Sequence, residues 1–178
     1  LSRLDSFCLS MTIKGAWTFK SLPSFHLLKD ALVQLISYYP QLNGTYDRKL
    51  KSVVYEDQSL TDVDFWEKEC FAHLCSENPY QLVPDYDIKG FKSGRVKAIR
   101  AWLLHLKDGD VLVVQGAHAL MDGFTFYNLI KQWGELVRGK SIIPMVVDQS
   151  VLPTYDRWTK EEVLHRVVDA GWVKMTLS

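Results

Sequence analysis

Phe7, Leu9, Met11 and Ile13 alternate with Cys8, Ser10, Thr12 and Lys14. A period of two marks a strand with one buried face. Pro23 suits the first turn of a helix. Leu28, Ala31, Leu32, Leu35 and Ile36 then recur at helical spacing and make one apolar stripe. Pro40 stops that helix, and Asn43-Gly44 turns the chain. Val53 to Tyr55 reads as a short strand. Thr61 or Asp62 can cap a further helix carrying Phe65, Trp66, Cys70, Phe71 and Leu74.

Residues 76–94 read as loop, punctuated by Pro79, Pro84, Gly90 and Gly94. Arg95 to Leu106 and Val111 to Gln115 predict two strands. Lys107-Asp108-Gly109-Asp110 joins them, and Asp-Gly is a strong hairpin signal. Val111-Leu112-Val113-Val114 is apolar without alternation, which predicts a central strand covered on both faces. Gly116 to Gly123 is a tight connection into a helix over Phe124 to Val137. Phe126, Tyr127, Ile130, Trp133 and Val137 are available for its inner face, and Arg138-Gly139-Lys140 ends it. Residues 141–157 carry few regular signals. Thr159 and Glu162 form a capping box for a helix to about Ala170, and Trp172 to Leu177 reads as one more strand.

Composition sharpens this pattern into a class. The chain has 178 residues, 47% of them apolar and 24% charged, which is globular and excludes disorder, collagen and low complexity. Lys plus Arg is 21 and Asp plus Glu is 21, so there is no electrostatic footprint for nucleic acid or an anionic membrane. The apolar runs are too short to span a bilayer. Leu1-Ser2-Arg3-Leu4-Asp5 reads like the inside of a longer chain, without a signal-peptide pattern. Three cysteines, Cys8, Cys70 and Cys75, make an odd number, which favours a reducing compartment, hence the cytoplasm, over a disulfide framework. Cys70, His73 and Cys75 supply only three metal ligands with no second cluster, so an ordinary helix is the expected reading and no metal is expected. Asn43-Gly44-Thr45 matches a glycosylation sequon that matters only in a secreted chain.

The segment that can carry chemistry is Gly116-Ala117-His118-Ala119-Leu120-Met121-Asp122-Gly123. It lies between a buried strand and an aromatic helix, where rigid elements hold reactive groups. A histidine there can act as a general base, because its ordinary pKa lies near neutrality. Asp122, four positions on, can shape the turn or form a salt bridge. Gly123 lets the backbone turn and leaves room for a substrate. A satisfied structural histidine followed by an Asp N-cap fits the spacing equally well. His26, His73, His105 and His165 fall on predicted helices or a strand, as surface or packing residues. Lys29, Arg95, Lys97 and Arg100 read as solvated faces rather than a phosphate site.

Several stretches, in order, resemble the acyl-CoA-dependent acyltransferases of the BAHD family, within the wider chloramphenicol-acetyltransferase and condensation-domain superfamily. Leu1-Ser2-Arg3-Leu4-Asp5 is similar to the family's Leu-Ser-x-x-Asp opening. Leu28 to Gly44, through Leu35, Tyr38, Tyr39 and Pro40, is similar to its Leu-rich helix ending in Tyr-Pro-x-x-x-Gly. His118 to Gly123 matches its His-x-x-x-Asp-Gly motif. Phe126 to Gly139 resembles the helix that follows. Pro144 to Leu152 resembles its Pro-x-x-Asp-Arg-Ser-x-Leu stretch, with Gln149 in place of Arg. The family's second signature, Asp-Phe-Gly-Trp-Gly, is absent.

The resemblance implies an α/β fold, a two-layer sandwich with a mixed sheet, and covers the first half of such an enzyme. Residues 1–140 would be the N-terminal acyltransferase lobe, 141–171 a crossover loop and helix, and 172–178 the first strand of a second lobe. It implies a tunnel between two lobes, with acyl-CoA as co-substrate and no permanently bound cofactor. The other partners would be a small, natural-product-like hydroxyl or amine acceptor and the C-terminal lobe, which would hold most coenzyme A contacts. His118 would be the general base, Asp122 structural and Gly123 an access residue. Condensation domains usually carry a second His before the catalytic one, and Ala117 stands there. That favours the acyltransferase branch over carrier-protein thioester chemistry. A non-catalytic half or binding subunit is the reading from another class.

Overall fold

The computed structural model describes residues 8–55, 62–74 and 76–145. The chain divides into two units, Leu1–Ile143 and Pro144–Ser178, and the architecture below belongs to the first. The helix expected over Thr159 to Ala170 and the strand expected over Trp172 to Leu177 lie outside the described residues.

Six strands and three α-helices make up the described fold. The main sheet runs β1 (Thr12–Phe19), β6 (Gly109–Ala117), β5 (Ile99–Leu106), β4 (Phe65–Glu69). β1 and β5 are antiparallel to β6, whereas β4 is parallel to β5, so the sheet is mixed. A separate two-stranded ribbon pairs β2 (Thr45–Asp47) with β3 (Ser52–Val54).

β6 is central, as its unbroken apolar run requires. One face, including Leu112 and Val114, lies toward the helix layer, while Val111 and Val113 on the other join a cluster with Trp102, Leu104 and Val83. The helix layer is α1 (Phe25–Tyr38) and α3 (Gly123–Val137), with α2 (Ile88–Lys92) a single short turn elsewhere. α1 buries Leu28, Ala31, Leu32, Leu35 and Ile36, the stripe read from the sequence, and Ser24 caps it by accepting from Leu27 N–H. α3 buries Phe126, Leu129, Trp133 and Leu136. Trp133 is the main joint of this layer. Its indole N–H donates to Leu28 O at 2.9 Å, and its ring meets Phe65 of β4 edge-on at 5.5 Å.

Several expectations need correction: residues 76–94 are not all loop, since Ile88–Lys92 is helical, and Pro23 precedes the Ser24 cap rather than lying in the first turn. Strand β1 starts at Thr12 rather than Phe7, because its partner β6 ends at Ala117, opposite Thr12. Met11 N–H instead closes a turn onto Cys8 O. The helix expected after Thr61 or Asp62 is strand β4. Phe65 and Trp66 read as two members of a helical stripe, but Phe65 is buried against Phe25 and Trp133 while Trp66 lies against Trp102 on β5. Side chains that alternate between the two faces of an edge strand satisfy both contacts, and tertiary packing overrides a short periodic signal. Tyr127 lies outside the α3 core face and is exposed. Lys97 and Arg100 are not solvated faces. Their side chains are only 17% and 18% exposed and ion-pair with Asp64, and Arg100 also stacks over Trp66 and Trp102 at 4.8 and 5.1 Å.

Candidate active site

The candidate site grows from the end of β6. Gly116 must be small there: a Cβ would stand 2.9 Å from Ala98 O. The close approach lets Ala117 N–H donate to that same carbonyl at 2.9 Å. The chain then tightens into one 3-10 turn, His118–Leu120. His118 N–H donates to Met11 O at 3.0 Å, which ties the histidine backbone to the segment leading into β1. Ala117, Ala119 and Met121 point into the core, leaving His118 and Leu120 half-buried between them. The alternation of buried and half-buried residues fixes the side of the turn from which the imidazole emerges.

Asp122 follows in extended backbone and caps α3, its Oδ1 accepting from Thr125 N–H at 2.7 Å. That bond is the main reason its carboxyl sits below the usual carboxylate range; the nearby His118 adds a smaller push in the same direction. The carboxylate also lies at the positive end of the helix, where negative charge is favoured. Gly123 is the first helical residue, and a Cβ there would meet nothing within 4 Å. Beside it Phe124 and Tyr127 are 77% and 66% exposed. Free space at Gly123 and two exposed aromatic rings on the first turns of α3 thus follow the His118 turn along the chain.

The three residues singled out from the sequence thus occupy one strand-to-helix connection. Two supporting groups were not legible. Met11 reaches His118 through a carbonyl, which no side-chain pattern reports. Thr125 follows the motif as an ordinary helical residue. The other histidines stand apart. His26 is exposed on α1. His73 sits in the turn after β4, 3.6 Å from Asp108. His105 lies on β5 at the opposite end of the sheet strand from the His118 connection. His165 and Cys75 are outside the described residues. Among the described residues no group of three His, Cys, Asp or Glu side chains is placed to hold a metal ion, and no helix is long and apolar enough to cross a membrane.

No family model and no curated protein matches the chain. Solved structures do. TRI101 of F. graminearum in complex with ethyl coenzyme A superposes on 89% of the chain with a TM-score of 0.66 and 15% identity, using 44% of its own length. The fold is BAHD-like. The same protein with coenzyme A and T-2 mycotoxin gives 0.64 at 14% identity, over 86% of this chain and 43% of that one. TRI101 of F. sporotrichioides, with coenzyme A and T-2, gives 0.58 at 15% identity over 76% and 36%. At these identities it is the BAHD-like fold that is shared. The chain spans less than half the length of each of these structures.

Proposed function

We propose that this BAHD-like lobe contributes the general base of an acyltransferase that moves an acyl group from acyl-CoA to a hydroxyl or amine of a small, natural-product-like acceptor. The observation that carries this reading is the His118 turn: a half-buried histidine at the end of the central strand, five residues before a glycine with open space at its Cβ position, in a fold whose solved examples include complexes with coenzyme A.

In this reading the neutral imidazole of His118 takes the proton from the acceptor O–H or N–H as that atom forms a bond to the thioester carbonyl carbon. The tetrahedral intermediate then collapses, the C–S bond breaks, and the imidazolium returns the proton to the departing thiolate. The products are the ester or amide and free coenzyme A. No covalent enzyme intermediate is needed, so neither Cys8 nor Cys70 has a part. Asp122 keeps the turn in shape by capping α3, and Gly123 keeps the approach to His118 clear. A second lobe supplies the opposite wall and most of the coenzyme A contacts. The proposed setting is cytoplasmic.

The test is turnover by the full-length protein with acyl-CoA and panels of alcohols and amines, followed by release of the free thiol. His118→Ala should lower the rate by roughly 10² to 10⁴-fold, the usual size of a general-base contribution. Turnover near that of the natural protein would remove His118 from the mechanism. Acylation only from a carrier-protein thioester would move the reading to condensation chemistry, and tight acceptor binding without turnover would support a binding lobe.

A further inference from the structure

Far from His118, the sheet carries a second histidine between two acidic partners. His105 lies near the end of β5. Its Nε2 is 2.8 Å from Glu67 Oε1 on β4, and its Nδ1 is 2.8 Å from Asp110 Oδ1 on β6. The other oxygen of Asp110 accepts Leu22 N–H at 2.6 Å, in the connection from β1 to α1. One ring therefore links three neighbouring strands and, through Asp110, the entry to the first helix. Asp110 is the second residue of β6 and His118 follows its last, so the two histidines are about 25 Å apart along the strand.

The protonation state decides how much of this link exists. A neutral imidazole has one N–H and can donate to one carboxylate; an imidazolium has two and can donate to both. The charged groups acting on His105 are Glu67 and Glu69 from β4 and Asp110 from β6, all acidic. Among the described residues β4 is an edge strand of five residues paired with β5 on one side only.

We propose that His105 is a pH-sensitive clip: doubly protonated, it fastens edge strand β4 to the β5–β6 hairpin, and on losing a proton it lets β4 loosen. The hydrogen bond to Glu67 is the largest influence raising the imidazole above its ordinary range; burial opposes it, and Asp110 adds to the rise. A group raised in the folded state stabilises fully below its unfolded pKa and loses that contribution as pH rises through the folded value. The clip is thus closed below the raised titration of the imidazole and open above it.

The test uses the full-length protein and two readouts between about pH 6 and pH 9, a window that brackets the ordinary histidine value. One is the NMR titration of the His105 ring. The other is amide exchange in β4 relative to β1, corrected for the intrinsic pH dependence of exchange. The ring should titrate above the ordinary histidine range, and β4 opening should rise through that same pH. His105→Gln should abolish that pH dependence. Should His105→Gln not fold, Glu67→Gln, on the exposed edge, should lower the ring titration and flatten the β4 response. A ring that titrates at or below the ordinary value, or β4 protection indifferent to its titration, would overturn the proposal.

Discussion

Asp122 separates capping from charge at the scale of one residue. Its Oδ1 accepts the Thr125 N–H, so Asp122→Ala should cost about 1 kcal/mol in urea unfolding, the usual size of a lost N-cap. Asp122→Asn, which keeps an acceptor, should cost less. Because the folded carboxyl lies below its usual range, its charge stabilises above the unfolded pKa, and that part is lost as pH falls through the folded value. The gap between Asp and Asn should therefore close in acid; a gap that widens there would mean the cap is not an ionised carboxylate. Gly123 makes the complementary test. A Cβ would touch nothing, so Gly123→Ala should leave thermal unfolding unchanged or slightly improved, by less than about 1 kcal/mol. If Gly123 keeps the approach to His118 clear, Gly123→Val in the full-length protein should lower turnover at least about tenfold without lowering the melting temperature. Full turnover in Gly123→Val would deny the residue an access role.

Among the elements, Trp133 holds the helix layer and the sheet together. It is 2% exposed, donates to Leu28 O and packs on Phe65. Trp133→Ala should destabilise by about 3–5 kcal/mol. Trp133→Phe should cost less, since it keeps an aromatic ring in the core, although it loses the indole hydrogen bond to Leu28 O. A cost below about 1 kcal/mol for the alanine variant would mean that the helix layer is not anchored there. The same elements show where sequence patterns carry structural information. The α1 stripe was legible because five apolar residues repeat over more than two turns on one solvent-backed helix. β6 was legible because a run of four branched residues has no polar face to offer. β4 was not. Its five residues are too few to show a period, and its contacts come from Phe25, Trp102 and Trp133, distant in sequence. The hairpin was found through Asp108-Gly109, although the paired residues Leu106 and Gly109 enclose Lys107-Asp108 as the turn. Gly109 is needed for another reason: a Cβ would stand 2.5 Å from Phe19 O. Gly109→Ala should accordingly destabilise the hairpin end, measured as lost exchange protection of β1 and β6 there.

For the whole molecule, the BAHD-like fold holds the His118 connection at the end of its central strand. The His-x-x-x-Asp-Gly spacing located the connection. It did not reveal the Met11 carbonyl that holds the His118 backbone, because a main-chain acceptor leaves no mark in residue types. The solved structures with this fold are more than twice as long as the matched region, and the account places the acyl donor against a second lobe. The native gene product, weighed intact with any chain that co-purifies, should therefore come to about twice the 20.5 kDa of this chain. The most direct test of the central claim is the rate of coenzyme A release from acyl-CoA by that complete assembly, in the presence of an alcohol or amine acceptor, with and without His118→Ala. Acceptor-dependent release should fall by at least about a hundredfold in the variant while the fold is kept. Equal rates in the two proteins would contradict it.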